Sequence, residues 1–337
     1  MISKVYEKIK EILRNNYVYV ILFFVLYIGL MFPVPYYVEA PGGIIDITDK
    51  VEVENQPDTE GSYNMAYVTE YEGTVFTMLL SYVLPDWDLV KIESQDVNEN
   101  EEATYTRNHL MLEEANQTAV MYAYQKAEKE VTITSEAMYV SYLDPEVDWE
   151  LKVGDILRKA DGKEIESKEQ FTELIEEKEV GDSISLEVER DGKEEEVSVK
   201  VREVDGEKLL GVVISYLREI ETDPEVTFHF SEKESGPSAG FMTALTIYQA
   251  LIDEDLTNGL KIVGTGTIDQ EGNVGSIGGV KYKLMGAVRA KADVFFVPAG
   301  ENYEEAKKVK EDKGYDIELV KVETFDDALS YLEKQKD

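Results

Sequence analysis

A serine set among small residues is the first feature of this sequence that could carry chemistry. Ser238 lies in the run Gly236-Pro237-Ser238-Ala239-Gly240, directly before an apolar helix pattern over 241–251. Gly236 allows a tight turn, Pro237 presets φ for a helix start, and Ala239 leaves room for a substrate backbone. In the first helical turn, free N–H groups and the positive end of the helix dipole could receive an oxyanion. The run predicts a nucleophilic serine, with an ordinary helix start as the alternative.

A serine hydroxyl is a weak nucleophile and needs a neighbouring base. The chain has two histidines, His109 and His229, whereas Lys283 follows Ser238 by 45 residues within an apolar helix pattern. A lysine acts as a base only when burial or hydrogen bonding depresses its pKa. We predict Lys283 as the base. His229 has no orienting carboxylate in the sequence, so we interpret it as a strand or cleft residue.

Composition excludes several classes of function. The 70 acidic residues outnumber the 34 basic ones, for a net charge of −36, and such a field repels nucleic acid. Cysteine is absent, which excludes disulfides, thiolate nucleophiles and Cys-based zinc sites. Two histidines are too few for a His-rich metal centre. We therefore expect no nucleic-acid partner, no metal and no cofactor.

The N-terminal region contains a long uncharged segment. Tyr17–Val38 has 22 residues, which at about 1.5 Å per helical residue can span a hydrocarbon core of roughly 30 Å. Basic residues precede the segment and acidic ones dominate after it, so the positive-inside rule places 1–16 in the cytoplasm and the rest outside. A cleavable signal peptide is the alternative, but the run is longer than usual and no A-x-A site follows. The sequence predicts a single-pass cell-membrane protein with an extracellular catalytic domain.

Residues 131–204 have the pattern of a small β-rich domain with one helix. The segment LKVGDILRKADGKEI (151–165) resembles the core motif of bacterial PDZ domains. The resemblance implies a groove between the strand Met138–Leu143 and the helix Ser167–Glu177, where a peptide binds as an added strand. The candidate peptide contacts are Tyr139, Val140, Phe171 and Leu174, with simple core packing as the alternative.

Residues 205–337 alternate between strands and helices and resemble the proteolytic domain of Lon proteases. The resemblance rests on GPSAG (236–240), VGTGTI (263–268), GGVKYK (278–283), FFVPAGENYEEA (295–306) and ETFDDALSYL (323–332). It implies that Lys283 is the base, that Thr265 hydrogen-bonds it, and that the chain forms a homo-oligomeric ring. Thr267 stands where many Lon enzymes have an acidic residue, which leaves the dyad intact.

The expected architecture is α+β and multidomain. It comprises the transmembrane helix, a region 39–130 packed on the protease domain, the PDZ-like domain and the Lon-type α/β domain. No G-x-x-x-x-G-K-[ST] phosphate loop occurs in the sequence. The combination resembles the membrane-anchored, PDZ-containing Lon-like proteases of Gram-positive bacteria, the YlbL/SepM group.

That resemblance implies an ATP-independent serine endopeptidase making limited cleavages in exported or membrane-proximal peptides and proteins. A non-catalytic membrane tether that binds peptide termini through its PDZ-like domain is the alternative. A signal-peptidase-like enzyme also uses Ser and Lys, but it needs its nucleophile close to the membrane, and about 200 residues separate Ser238 from the apolar segment.

Overall fold

The structure, a computed structural model, describes residues 8, 10, 11, 13–92, 101–144, 147, 149–204 and 206–335. Most of the predicted cytoplasmic tail 1–16 lies outside the described residues. The chain divides into two compact units, a smaller one of residues 1–41 and 68–92 and a larger one of residues 42–67 and 93–337.

The helices and strands of the described residues are numbered in chain order. The helices are α1 (Tyr17–Leu30), α2 (Val75–Ser81), α3 (Glu101–Lys126), α4 (Lys168–Glu176), α5 (Gly240–Leu251), α6 (Val280–Arg289), α7 (Glu301–Lys313) and α8 (Phe325–Lys334), with a 3₁₀ turn at Pro237–Ala239. The strands are β1 (Pro33–Asp46), β2 (Val51–Val53), β3 (Ser62–Thr74), β4 (Asp88–Lys91), β5 (Val131–Leu143), β6 (Ile156–Ala160), β7 (Lys163–Glu164), β8 (Ser183–Arg190), β9 (Lys193–Lys200), β10 (Arg202–Val204), β11 (Glu207–Leu209), β12 (Val212–Thr222), β13 (Val226–Phe228), β14 (Lys261–Gly264), β15 (Thr267–Ile268), β16 (Val274–Gly275), β17 (Val294–Pro298) and β18 (Glu318–Val322).

The smaller unit corrects the extent of the predicted N-terminal helix. Helix α1 covers 14 residues and ends at Leu30, and Pro33–Val38 begin strand β1 instead. Pro33 and Pro35 lack the N–H that a helix needs, and each disfavours helical geometry at the residue before it. Among the residues that the structure describes, no helix is both long and apolar enough to cross a membrane.

The sheet of the larger unit positions the predicted catalytic residues. Its strands run in the order β18-β17-β14-β3, all parallel, and β1 lies next to β3. Side chains of successive residues point to opposite faces. Ile262 and Phe296 pack with α5 and α8 on one face, whereas Val263 and Phe295 pack with α6 and α7 on the other. The carboxyl end of β14 is therefore packed between two buried layers.

The β-rich part of the larger unit is built on an antiparallel sheet in the order β12-β5-β6-β8-β9. Ser167 caps helix α4, its side chain accepting a hydrogen bond from the Gln170 N–H at 3.2 Å. Asp161-Gly162 and Asp191-Gly192 form the predicted tight turns, all four residues having positive φ. Strand β12, which sequence analysis assigned to the protease domain, pairs along the whole of β5.

Helix α3 contacts both the β-rich sheet and the turn before Ser238. Its Glu114 carboxylate accepts a hydrogen bond from the Tyr139 hydroxyl at 3.1 Å, and the Gln117 side chain accepts one from the Arg218 N–H at 2.8 Å. Near its start, the carbonyl of Asn108 accepts a hydrogen bond from the Gly236 N–H at 2.8 Å. One helix thus connects β5 and β12 to the segment that carries the candidate nucleophile.

Candidate active site

Ser238 lies in the 3₁₀ turn that leads into helix α5. Gly236 precedes the turn with φ of 87°, in the region that favours glycine, although a Cβ there would meet no neighbouring atom. The backbone angle, rather than space, therefore requires glycine. Ala239 and most of α5 are buried, while Ser238 itself is half-buried. The serine therefore lies at the edge of the buried core.

Lys283 lies in the first half of helix α6, which begins after Gly279 in a left-handed conformation with φ of 66°. Its side chain is 4% exposed, and Leu284 and Ala287 beside it are fully buried. Loss of hydration disfavours the charged ammonium, so burial lowers the pKa of Lys283 from 10.5 to about 8. A substantial fraction of this lysine is therefore neutral near physiological pH.

Thr265 connects the two residues. It follows the carboxyl end of β14 and is fully buried. Its hydroxyl donates a hydrogen bond to the Ser238 carbonyl at 3.2 Å and accepts one from Lys283 Nζ at 3.1 Å. A threonine hydroxyl has one proton, so Lys283 is the donor in the second bond. When neutral, the Lys283 amine then keeps its lone pair for another proton.

The residue after Thr265 fixes the same geometry through its backbone. The Gly266 N–H donates to the Ser238 carbonyl at 2.9 Å, and the Gly266 carbonyl accepts from the Phe241 N–H at 3.0 Å. A Cβ on Gly266 would lie 2.6 Å from Val274 Cγ1, so only glycine fits between these elements. The turn bearing Ser238 is thus attached directly to the strand that presents Thr265.

Asn302 is a supporting residue that sequence reasoning missed. Its side chain, 7% exposed on α7, donates to the Ile277 carbonyl at 2.8 Å and accepts from the Ile277 N–H at 2.9 Å. These two bonds hold the segment that precedes the Gly278-Gly279 turn into α6. No spacing pattern marks this role, because Asn302 lies 25 residues from its partner.

The two histidines have other partners. His229 Nε2 lies 3.3 Å from a carboxylate oxygen of Glu52, and both side chains are exposed. The His229 N–H donates to the Lys50 carbonyl and so continues the pairing of β13 with β2. His109 lies next to the carbonyls of Tyr105 and Glu232. These contacts give His229 a place beside a strand.

The structure does not have the predicted groove between Met138–Leu143 and α4. Strand β5 pairs with β12 along its whole length on one side and with β6 at Met138 and Tyr139 on the other, so it is an inner strand of the sheet. Tyr139 and Val140 are fully buried, and their prediction as peptide contacts is wrong. The reason is that β12, which is distant in the sequence, pairs with the edge of β5 that the prediction assigned to a peptide.

The structure instead places a groove between the outer strand of the sheet, β12, and helix α4. Its volume is about 420 Å³. Phe171 lines it although the residue is largely buried, whereas Leu174 packs against the core of the β-rich sheet. The other apolar lining residues include Ile175, Leu210, Val212 and Ile214.

Comparison with protein families defines the class of both regions. Residues 219–334 match the Lon protease (S16) C-terminal proteolytic domain, and residues 115–201 match the PDZ domain. The predicted Lon-type and PDZ domains are thereby confirmed. The chain carries the proteolytic domain of a serine endopeptidase, and the site described above lies within it.

Individual relatives are similar over the same region. The Lon protease of Campylobacter jejuni is 33% identical over 99 residues, which cover 29% of this chain and 12% of that protein. The Lon protease of Clostridioides difficile is 33% identical over 129 residues, covering 34% of this chain and 16% of the relative. The chain thus spans less than a fifth of the length of these curated relatives.

Among solved structures, the PDZ domain of the SdrC-like protein from Listeria monocytogenes is similar to part of this chain. It is 25% identical, covers 25% of this chain and 92% of its own, and has a TM-score of 0.23.

Proposed function

We propose that this protein is an ATP-independent serine endopeptidase with a Ser238–Lys283 dyad. The observation that carries the proposal is the Thr265 bridge. One hydroxyl orients the desolvated amine of Lys283 and, by its single proton, also holds the backbone of Ser238. If the Ser238 run were only an ordinary helix start, it would need neither a buried lysine nor a threonine hydrogen-bonded to that lysine.

In the proposed reaction, Ser238 Oγ attacks the carbonyl carbon of the scissile peptide bond while Lys283 Nζ takes the hydroxyl proton. The oxyanion is received by N–H groups of Ser238 and Ala239, which lie at the start of the helical segment. Lys283 then returns its proton to the leaving amine, and the acyl-enzyme forms. Water, deprotonated by Lys283, hydrolyses the ester and restores Ser238.

The PDZ domain would engage substrate through the groove between β12 and α4. An extended peptide would add to β12, the outer strand of this sheet among the residues that the structure describes, and its side chains would enter the apolar lining. Helix α3 contacts both this sheet and the turn before Ser238, which supports a role for the domain in presenting peptides or in setting activity. Limited cleavage of selected peptides fits this arrangement better than bulk degradation.

We place the enzyme at the cell membrane, with α1 as the anchoring element and the catalytic domain on the extracellular side. Every residue of α1 is apolar or aromatic, none is buried, and basic residues precede the helix. Its substrates would then be exported or membrane-proximal. The homo-oligomeric ring stays a prediction.

Peptide hydrolysis by the full chain in phosphatidylcholine vesicles tests the dyad. The wild type should cleave members of a peptide library equally well with and without ATP, and Ser238→Ala and Lys283→Met should not cleave. Lys281→Met is the matched control, because Lys281 lies on the same helix with its ammonium over the Tyr282 ring, and it should retain cleavage. Peptide binding without cleavage by any form would support the tether alternative instead.

A further inference from the structure

Helix α2 and the two residues after it present an apolar surface on the smaller unit. We define the α2 surface as Phe76, Leu79, Tyr82 and Val83, all of which are exposed, Tyr82 and Val83 by 76% and 77%. The segment 73–85 around it contains no charged residue. Single exposed apolar residues are ordinary, whereas four on one uncharged segment mark a contact site.

The threonine and serine hydroxyls of the segment 73–85 take part in hydrogen bonds within it. Thr74 and Thr77 form a capping box, in which the Thr77 N–H donates to Thr74 Oγ1 at 3.1 Å and the Thr74 N–H donates to Thr77 Oγ1 at 2.8 Å. At the other end, the Ser81 hydroxyl donates to the Met78 carbonyl at 2.8 Å. Because leaving water is costly for unpaired polar groups, this pairing lowers the cost of moving α2 into a less polar medium.

The α2 surface begins where α1 ends. The Val75 N–H, at the start of α2, donates to the Phe32 carbonyl at 3.0 Å, two residues beyond α1. Helix α1 exposes apolar side chains around its circumference, including Phe23, Phe24 and Leu26. A partner protein covers one face of a helix, whereas lipid surrounds all faces, so the occupant that suits α1 is lipid. Because α2 begins beside the end of α1, lipid around α1 would also reach the α2 surface.

Charged residues limit how deeply the segment could enter. Glu70 and Glu72 precede it, and Asp86 and Asp88 follow it. At the same boundary the Trp87 ring stacks on Tyr71 with centroids 4.8 Å apart. Tryptophan and tyrosine favour the headgroup layer of a bilayer. This order of residues fits a helix that dips into the interfacial layer and returns.

We propose that α2 lies in the interfacial layer of a lipid bilayer and forms a second membrane contact beside α1. The inference rests on the proposed membrane location of the enzyme. The interaction is apolar rather than electrostatic, because a chain with net charge −36 gains nothing from anionic headgroups. It would fix the orientation of the smaller unit on the membrane, which a single helix leaves free to rotate.

The absence of cysteine allows one spin label to be placed at a time. The full chain carrying Leu79→Cys, Val83→Cys, Phe24→Cys or Glu173→Cys is labelled with a nitroxide and reconstituted in phosphatidylcholine vesicles. Collision rates with molecular oxygen and with a water-soluble nickel chelate report depth. We expect labels at 79 and 83 to collide with the chelate several-fold less often than the label at 173, an exposed position on α4.

The pattern across the four labels separates the two proposals. A protected label at 24 with labels at 79 and 83 as accessible as 173 would overturn the second contact and leave the anchor standing. Labels at 24, 79 and 83 all as accessible as 173 would overturn both. Two positions on the α2 surface are used so that one poorly folded variant does not decide the result, and circular dichroism checks each variant's fold.

Discussion

Lys283 Nζ donates a hydrogen bond to Thr265 Oγ1 at 3.1 Å, while the proton of that hydroxyl points to the Ser238 carbonyl at 3.2 Å. The polarity of the chain of bonds follows from the single hydroxyl proton. When Lys283 is neutral, its amine donates to Thr265, and its lone pair takes no part in the bridge. The proposed reaction depends on that lone pair.

The first prediction concerns pH. Only neutral Lys283 can take the serine proton, and its pKa lies at about 8. We expect kcat/KM to rise about tenfold per pH unit below that value and to level off above it, since kcat/KM reports ionisation of the free enzyme. Peptide hydrolysis measured from about pH 6 to about pH 10 checks this. A flat profile across the range would exclude Lys283 as the base.

Burial of the same lysine should cost stability. A lowered pKa means that the unfolded chain binds the proton more tightly, so stability rises with pH between about 8 and 10.5 and is reduced below that window. Lys283→Met should therefore raise the free energy of unfolding at neutral pH by up to about 3 kcal/mol. Urea denaturation at pH 7 and pH 10 measures it.

The gain from Lys283→Met should shrink at the higher pH, and the variant should be inactive. Lys281→Met is the comparison, because Lys281 is half-buried rather than enclosed. An equal change in both variants at both pH values would show that helix propensity, not desolvation, is responsible.

Replacing Thr265 tests the bridge. Thr265→Val keeps the volume but removes both hydrogen bonds, and we expect kcat/KM to fall by about 10- to 100-fold, the kinetic equivalent of one strong hydrogen bond. Thr265→Ser keeps the hydroxyl and should retain most activity. The pH midpoint should also move lower in Thr265→Val, because a lost acceptor destabilises the ammonium form. Reduced activity with an unmoved midpoint would assign Thr265 a packing role only.

Gly236→Ala tests the turn before the nucleophile. The φ of 87° costs an alanine about 1–2 kcal/mol. Relief of this strain would break the bond from the Gly236 N–H to Asn108 and displace Ser238, so kcat should fall along with the free energy of unfolding. Gly278→Ala is the matched control for stability, because its Cβ meets no atom and its φ is not positive. Equal losses in both variants would contradict the argument.

Asn302→Ala should affect activity from a distance. It leaves the Ile277 N–H and carbonyl without their side-chain partner, at a cost of about 1–3 kcal/mol. Because Ile277 precedes the turn into α6, we expect Lys283 to lose its alignment and kcat to fall more than KM rises. Thermal denaturation and steady-state kinetics together check this. A loss of stability with unchanged kcat would limit Asn302 to a structural role.

Local chemistry made much of the site predictable. The Ser238 turn, the cap at Ser167 and the two Asp-Gly turns each depend on a few consecutive residues, and the structure has them where the sequence indicates. Burial of Lys283 could be suggested by its apolar neighbours but not established, because the side chains of β14 and α7 that enclose the region come from elsewhere in the chain.

Features that depend on distant pairing were not predictable. The outer strand of the PDZ sheet could not be identified because β12 lies beyond the apparent end of that domain and pairs with β5, which is distant in the sequence. The end of α1 was misplaced because hydropathy continues through Pro33 and Pro35, although helical geometry does not. Asn302 carries no local signature of the loop that it holds.

The contacts of helix α3 tie the β-rich sheet to the part of the chain that precedes residue 131. Burial and the Glu114 carboxylate raise the pKa of the Tyr139 hydroxyl, which donates a hydrogen bond to that carboxylate. A fragment beginning at residue 131 would lack Glu114, and the hydroxyl would lose this acceptor. The Arg218 N–H would likewise lose its hydrogen bond to the Gln117 side chain. The same helix carries Asn108, whose carbonyl accepts the hydrogen bond from the Gly236 N–H in the turn before Ser238. Separating the β-rich sheet from the Ser238 turn would therefore break hydrogen bonds at both ends of α3.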